Sequence, residues 1–145
     1  MTVSLLAQVR RVFVDTSGYF ATLNRGDANH SSANAIMEQL VAERRRLFTT
    51  NFILAELHAL LLTRANRHLA ATVLREIDTS QVTTIVRVST RDERRARAII
   101  HQYDDKDFSL TDATSFAVME RLRMTHALAY DENFAQYGWT LINAS

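Results

Sequence analysis

The chain has 145 residues, 47% apolar and 23% charged, which suits a single domain over 1–145 able to bury roughly 70% of its unfolded surface. It has no cysteine, which excludes disulfides and thiolate metal sites, and its net charge of +1 excludes a global field that would draw in a polyanion. Every basic residue except Lys106 is arginine, which nearly removes lysine-dependent chemistry and leaves planar forks suited to phosphate, although GC-rich coding produces the same bias.

The opening stretch, MTVSLLAQVRR, places its arginines after a short apolar patch, the reverse of a secretory leader. No apolar run is long enough to span a membrane, so a cytoplasmic protein is expected. The first predicted strand, Val12–Asp15, runs from three apolar β-formers into a carboxylate and then Thr16, Ser17 and Gly18. A short helix is expected after Ser17. A helical pattern follows over Ala28–Arg45, then a strand over Leu47–Thr50. Phe52–Arg64 reads as a helix apolar on nearly all sides, which predicts that its Glu56 is buried. A helix over His68–Asp78, a strand over Thr84–Val88 and a helix over Asp92–Gln102 come next, the last with Thr90 as its N-cap.

Ser109 is the expected cap of a helix over Asp112–Met124, in which Asp112 shares a face with the core candidate Phe116. The strand Ala127–Tyr130 ends at Asp131, a short helical turn follows near Glu132–Tyr137, and Thr140–Ile142 is the last strand. The strands are short and apolar without strict alternation, as in strands covered on both faces. Their alternation with helices predicts a three-layer α/β/α domain around a parallel sheet, with ligands bound beyond the carboxyl ends of its strands.

Asp15 and Asp131 stand at that end of the sheet, and each also fits a plain helix cap. Capping alone would account for Asp112 as well. A buried Glu56 needs a partner or a metal, either an Arg or His elsewhere or a cation. Taken together, four carboxylates in such a crevice repel one another, by roughly 4 kcal/mol for a pair about 4 Å apart at an effective dielectric of 20. A cluster of that kind needs protons or divalent cations, and oxygen donors without His or Cys favour Mg²⁺ or Mn²⁺ over zinc. Ser17 is a supporting candidate for a water or phosphate, or else a helix cap. Asp104, Asp105 and Asp107 offer an extra ligand or a solvated loop. Arg44–Arg46, Arg91, Arg94, Arg95 and Arg97 offer RNA contacts or solvated helix faces, and the five histidines read as packing or surface.

The order and setting of these acids in VDTSGYFA, NFILAEL, FSLTDATSFAVM and YDENF resemble PIN-domain ribonucleases, most nearly the toxin subunits of VapBC toxin–antitoxin pairs. The resemblance runs from Phe13 to Ile142. It implies a five-stranded parallel sheet of order 3-2-1-4-5, with the first and fourth strands adjacent. It also implies that Asp15, Glu56, Asp112 and Asp131 form a catalytic site binding Mg²⁺ or Mn²⁺. The activity implied is a metal-dependent endoribonuclease cleaving RNA phosphodiester bonds, with a small antitoxin as partner and a homodimer as assembly. Asn133 departs from the histidine that many relatives carry in a D-x-H-F motif, which touches local contacts only.

Two other readings stand beside it. Another Mg²⁺-dependent phosphoryl-transfer enzyme fits less well. A haloacid-dehalogenase-like phosphatase needs a second Asp where Ser17 stands, and a receiver domain needs a lysine after a late strand. A non-catalytic PIN-like interaction module would have no use for four intact acids.

Overall fold

The computed structural model describes residues 9–143, so most of the amino-terminal stretch weighed above as a leader lies outside the described residues. Five strands, β1 (Arg11–Val14), β2 (Arg46–Thr50), β3 (Thr83–Val86), β4 (His126–Leu128) and β5 (Thr140–Leu141), form one sheet in the order β3-β2-β1-β4-β5. Every pairing is parallel, with Phe13 opposite Phe48 on one side and Ala127 on the other. Val12, Phe13 and Val14 are fully buried, as a central strand covered on both faces requires.

Among the described residues seven helices cover the sheet: α1 (Thr16–Leu23), α2 (His30–Ala42), α3 (Asn51–Arg64), α4 (Arg67–Thr79), α5 (Thr90–Gln102), α6 (Leu110–Arg121) and α7 (Glu132–Tyr137). The first four pack among themselves and the last three among themselves, while α3 also touches α6. This grouping follows from right-handed crossovers that run outward from β1 to β3 and then return to β4 on the opposite side. The core joins both layers. Phe116 packs edge-on against Phe108 and Phe134 and stacks on Tyr137. Arg121 grips the buried Asp92 through two hydrogen bonds of 2.9 and 2.8 Å, tying α6 to α5.

Element boundaries differ from the sequence reading in instructive ways. Asp15 is not the last residue of β1 but the N-cap of α1, its carboxylate accepting the Ser17 amide. The cap of α5 is Ser89, not Thr90, because Ser89 and Asp92 close a reciprocal capping box that starts the helix one residue earlier. Helices α2 and α6 stop before Arg45 and Met124. Arg44 (φ 53°) and Arg123 (φ 55°) turn left-handed there, and the following amides reach back to Leu40 and Met119. Those are the bonds of a Schellman ending, made here without the glycine that normally announces it.

Candidate active site

The carboxyl ends of β1 and β4 lie side by side, since the Asp15 amide donates to the Leu128 carbonyl at 3.2 Å. Ser17 locks the junction. Its hydroxyl donates to Asp15 Oδ2 at 2.6 Å and accepts the Tyr130 amide at 2.9 Å. Close approach of α1 to β4 is possible because residue 18 is glycine. A methyl group there would drive into the Leu128 carbonyl oxygen.

Asp112 arrives on the first turn of α6, where Ser109 and Asp112 form a capping box. Asp131 caps α7 by accepting the Asn133 amide at 2.9 Å. The Asn133 side chain donates to Asp112 Oδ2 at 3.0 Å, so a single residue holds two of the acids. The sequence reading treats this position as a local departure; it is the link between Asp112 and Asp131.

Asp15, Glu56, Asp112 and Asp131 all line one open cavity of about 640 Å³, together with Ser17. Capping and convergence are therefore not alternatives. Asp15, Asp112 and Asp131 each cap a helix with one side of the carboxylate and still border the cavity. Glu56 is the correction, because it is exposed at the rim rather than buried. Helix α3 buries only Ile53, Leu57 and Leu61, and Glu56 occupies a neighbouring stripe with Leu60 and Arg64.

The electrostatics follow from burial without countercharge. Among the described residues none of the four acids makes an ion pair. Burial pushes the Asp15 carboxyl up to about 7; the Ser17 hydroxyl and amide pull it down, and the charges of Asp112 and Asp131 push it up again. Asp112 is also raised, by burial first, against the pull of Asn133 and Ser109 and with the push of Asp131.

The chemistry of this donor set suits a hard divalent ion: several carboxylates, no imidazole or thiolate, and no cation already paired with them. Among the described residues no three His, Cys, Asp or Glu side chains are grouped so as to hold an ion by themselves.

The family follows from a direct match. A PIN domain model covers residues 12–139. The chain belongs to the PIN-domain family. This PIN domain is 34% identical over 128 residues to the 23S rRNA-specific endonuclease VapC20 of Mycobacterium tuberculosis, spanning 88% of this chain and 95% of that one. It superposes on the crystal structure of that protein, described as a sarcin-ricin loop cleaving toxin, with a TM-score of 0.81 over 92% of this chain and 99% of the other. VapBC2 of Rickettsia felis, solved with a promoter DNA fragment, shares the fold at a TM-score of 0.68 and 14% identity, over 92% of this chain and 98% of that one.

Several lining residues of the PIN domain escape the sequence reading. Asp27 and Asn29 come from the turn between α1 and α2, and Tyr130 from the end of β4. Asp107, weighed there as an extra ligand or a solvated loop residue, borders the cavity. Arg64, not weighed there at all, lines the same cavity. The spacing of Glu56, Leu60 and Arg64, four apart on one helix, is the available signal for it. The other arginines weighed as RNA contacts do not border the cavity; Arg95, for example, is engaged with Glu120 and Tyr137. Among the described residues no helix is long and apolar enough to cross a membrane.

Proposed function

We propose that this PIN domain is an endoribonuclease that hydrolyses RNA phosphodiester bonds with Mg²⁺ or Mn²⁺ and acts as the toxin of a toxin–antitoxin pair. One observation carries the reading: four acids from four separated segments line a single cavity with no cation paired to them. The 34% identity to VapC20 supports the same conclusion. We assign Asp15, Asp112 and Asp131 to the ion, one or two by direct contact and the rest through its bound waters, with Glu56 also acting through water from the rim. Bound there, the ion would make a water molecule nucleophilic near neutral pH and offset charge gathering on the scissile phosphate.

The chain's own groups do the positioning. Ser17 fixes the Asp15 carboxylate against the end of β4, and Asn133 fixes Asp112 relative to Asp131. Without the ion, burial holds the Asp15 carboxyl up to about 7, so binding the ion near neutral pH would displace its proton. The sarcin–ricin loop of 23S rRNA, the target named for VapC20, is the substrate we assign to this chain. A small antitoxin and a second copy of the chain are the assigned partners, and the mass of the purified particle in solution checks both.

Purified protein incubated with Mn²⁺ should cleave a sarcin–ricin RNA hairpin, and EDTA should stop the reaction. Asp112→Asn should lower the rate by about 100-fold or more. Cleavage that survives both treatments would overturn the assignment. If no divalent ion supports any cleavage, the domain is better described as a non-catalytic interaction module.

A further inference from the structure

We infer that Arg64 builds a second subsite in the cavity, binding a backbone phosphate of the RNA beside the one that is cut; this rests on the ribonuclease reading. Six carboxylates border the cavity, from Asp15, Asp27, Glu56, Asp107, Asp112 and Asp131, and Arg64 is the cation that borders it with them. Its guanidinium is exposed and makes no ion pair among the described residues. Away from the cavity, Arg95 is engaged with Glu120, Arg121 with Asp92, and Arg11 with the Leu122 and Arg123 carbonyls.

Position along the helix gives the subsite its place. Glu56 and Arg64 are eight residues apart on α3, about 12 Å along its axis. Adjacent phosphates of one strand are closer together than that, so Arg64 is placed for a phosphate other than the scissile one. Leu60 on α3 and Phe20 on α1 line the cavity as well and supply an apolar wall for a sugar or base. The cavity is thus acidic over most of its lining, with one phosphate fork at the carboxyl end of α3. That fork orients the strand across the carboxylates. Arg64 also suits the negative end of the α3 dipole, a purely structural role that Lys would fill equally well.

The test uses the full chain. In an Asp112→Asn background, binding of a labelled random-sequence RNA pool is measured over a salt series in Mg²⁺. Adding Arg64→Ala should weaken binding about tenfold and reduce the salt slope by about 0.7, the loss of one phosphate contact. Arg64→Lys should keep the slope but recover only part of the affinity. In the otherwise wild-type protein, Arg64→Ala should raise KM on the sarcin–ricin hairpin with kcat nearly unchanged. Hairpins carrying one methylphosphonate on a 2′-deoxy residue, at each linkage near the cut, should show where the contact falls. At one linkage the difference between the wild type and Arg64→Ala should disappear.

Unchanged affinity and slope, or a penalty equal at every neutralised linkage, would overturn the inference. So would a fall in melting temperature that Lys repairs while RNA binding stays the same. Arg64-dependent binding by a protein that cuts no RNA with any divalent ion would sink the nuclease reading and leave the subsite standing.

Discussion

Asp15 illustrates how a buried acid without a countercharge strains the fold that carries it. Its folded pKa of about 7 lies above the ordinary 3.8, so the folded chain binds extra protons between those values. The resulting penalty is absent below the ordinary pKa, grows as pH rises toward 7, and is complete above it. Asp15→Asn removes the charge and keeps an oxygen for Ser17. In EDTA at about pH 8 the variant should melt at or above wild type, and by about pH 4 the two should coincide. A variant that melts well below wild type at the higher pH would show that Asp15 is chiefly a structural cap. Mg²⁺ should then raise the melting temperature of the wild type more than that of the variant. Asn133 acts at the same scale. Asn133→Ala removes the side-chain bond to the Asp112 carboxylate, while the backbone amide of the substituted residue still donates to Asp131. We expect the Mg²⁺ concentration for half-maximal cleavage to rise about tenfold or more, with thermal stability shifted by about 1 kcal/mol at most. An unchanged metal requirement would remove Asn133 from the site.

Among the elements, the tightest fit is α1 against β4. Gly18 lets the helix lie on the Leu128 carbonyl, and the same contact brings Ser17 within reach of the Tyr130 amide. Gly18→Ala should destabilise the fold by roughly 3 kcal/mol, seen as a lower denaturant midpoint. Because α1 must shift, cleavage should fall more than the loss of folded protein explains. Normal stability in this variant would mean the helix can slide without consequence. Helix beginnings are legible in the sequence where a reciprocal box announces them, as with Ser109 and Asp112. The two Schellman endings are not, because Arg44 and Arg123 occupy left-handed positions that carry no glycine signal.

At the scale of the molecule, the alternation of strands and helices makes the layers readable, and the strand order comes through resemblance to the family. Asp15, Asp112 and Asp131 are readable as site candidates because strand ends and helix starts in such a sheet face one crevice. Glu56 is legible as a site residue, but its exposure is not. An apolar helix suggests cover all round, whereas Leu62 remains 47% exposed on α3. Asp27, Asn29 and Arg64 escape the sequence because only tertiary packing brings a turn and a helix end to the cavity.

The adjacency of β1 and β4 also sets a clock. The cavity borrows Asp15 from just after the first strand and Asp131 from beyond the fourth, more than a hundred positions later in the chain. During synthesis, the early strands and α1–α4 can assemble before the strand that completes the crevice exists. A polypeptide still attached to its ribosome at that stage has part of an acidic cluster and no Ser17–Tyr130 latch. Chains stopped before His126 should therefore be inert toward RNA at any Mn²⁺ concentration, and cleavage by such a fragment would refute this ordering. A ribonuclease would then be kept inactive by its own topology until β4 and α7 have been made.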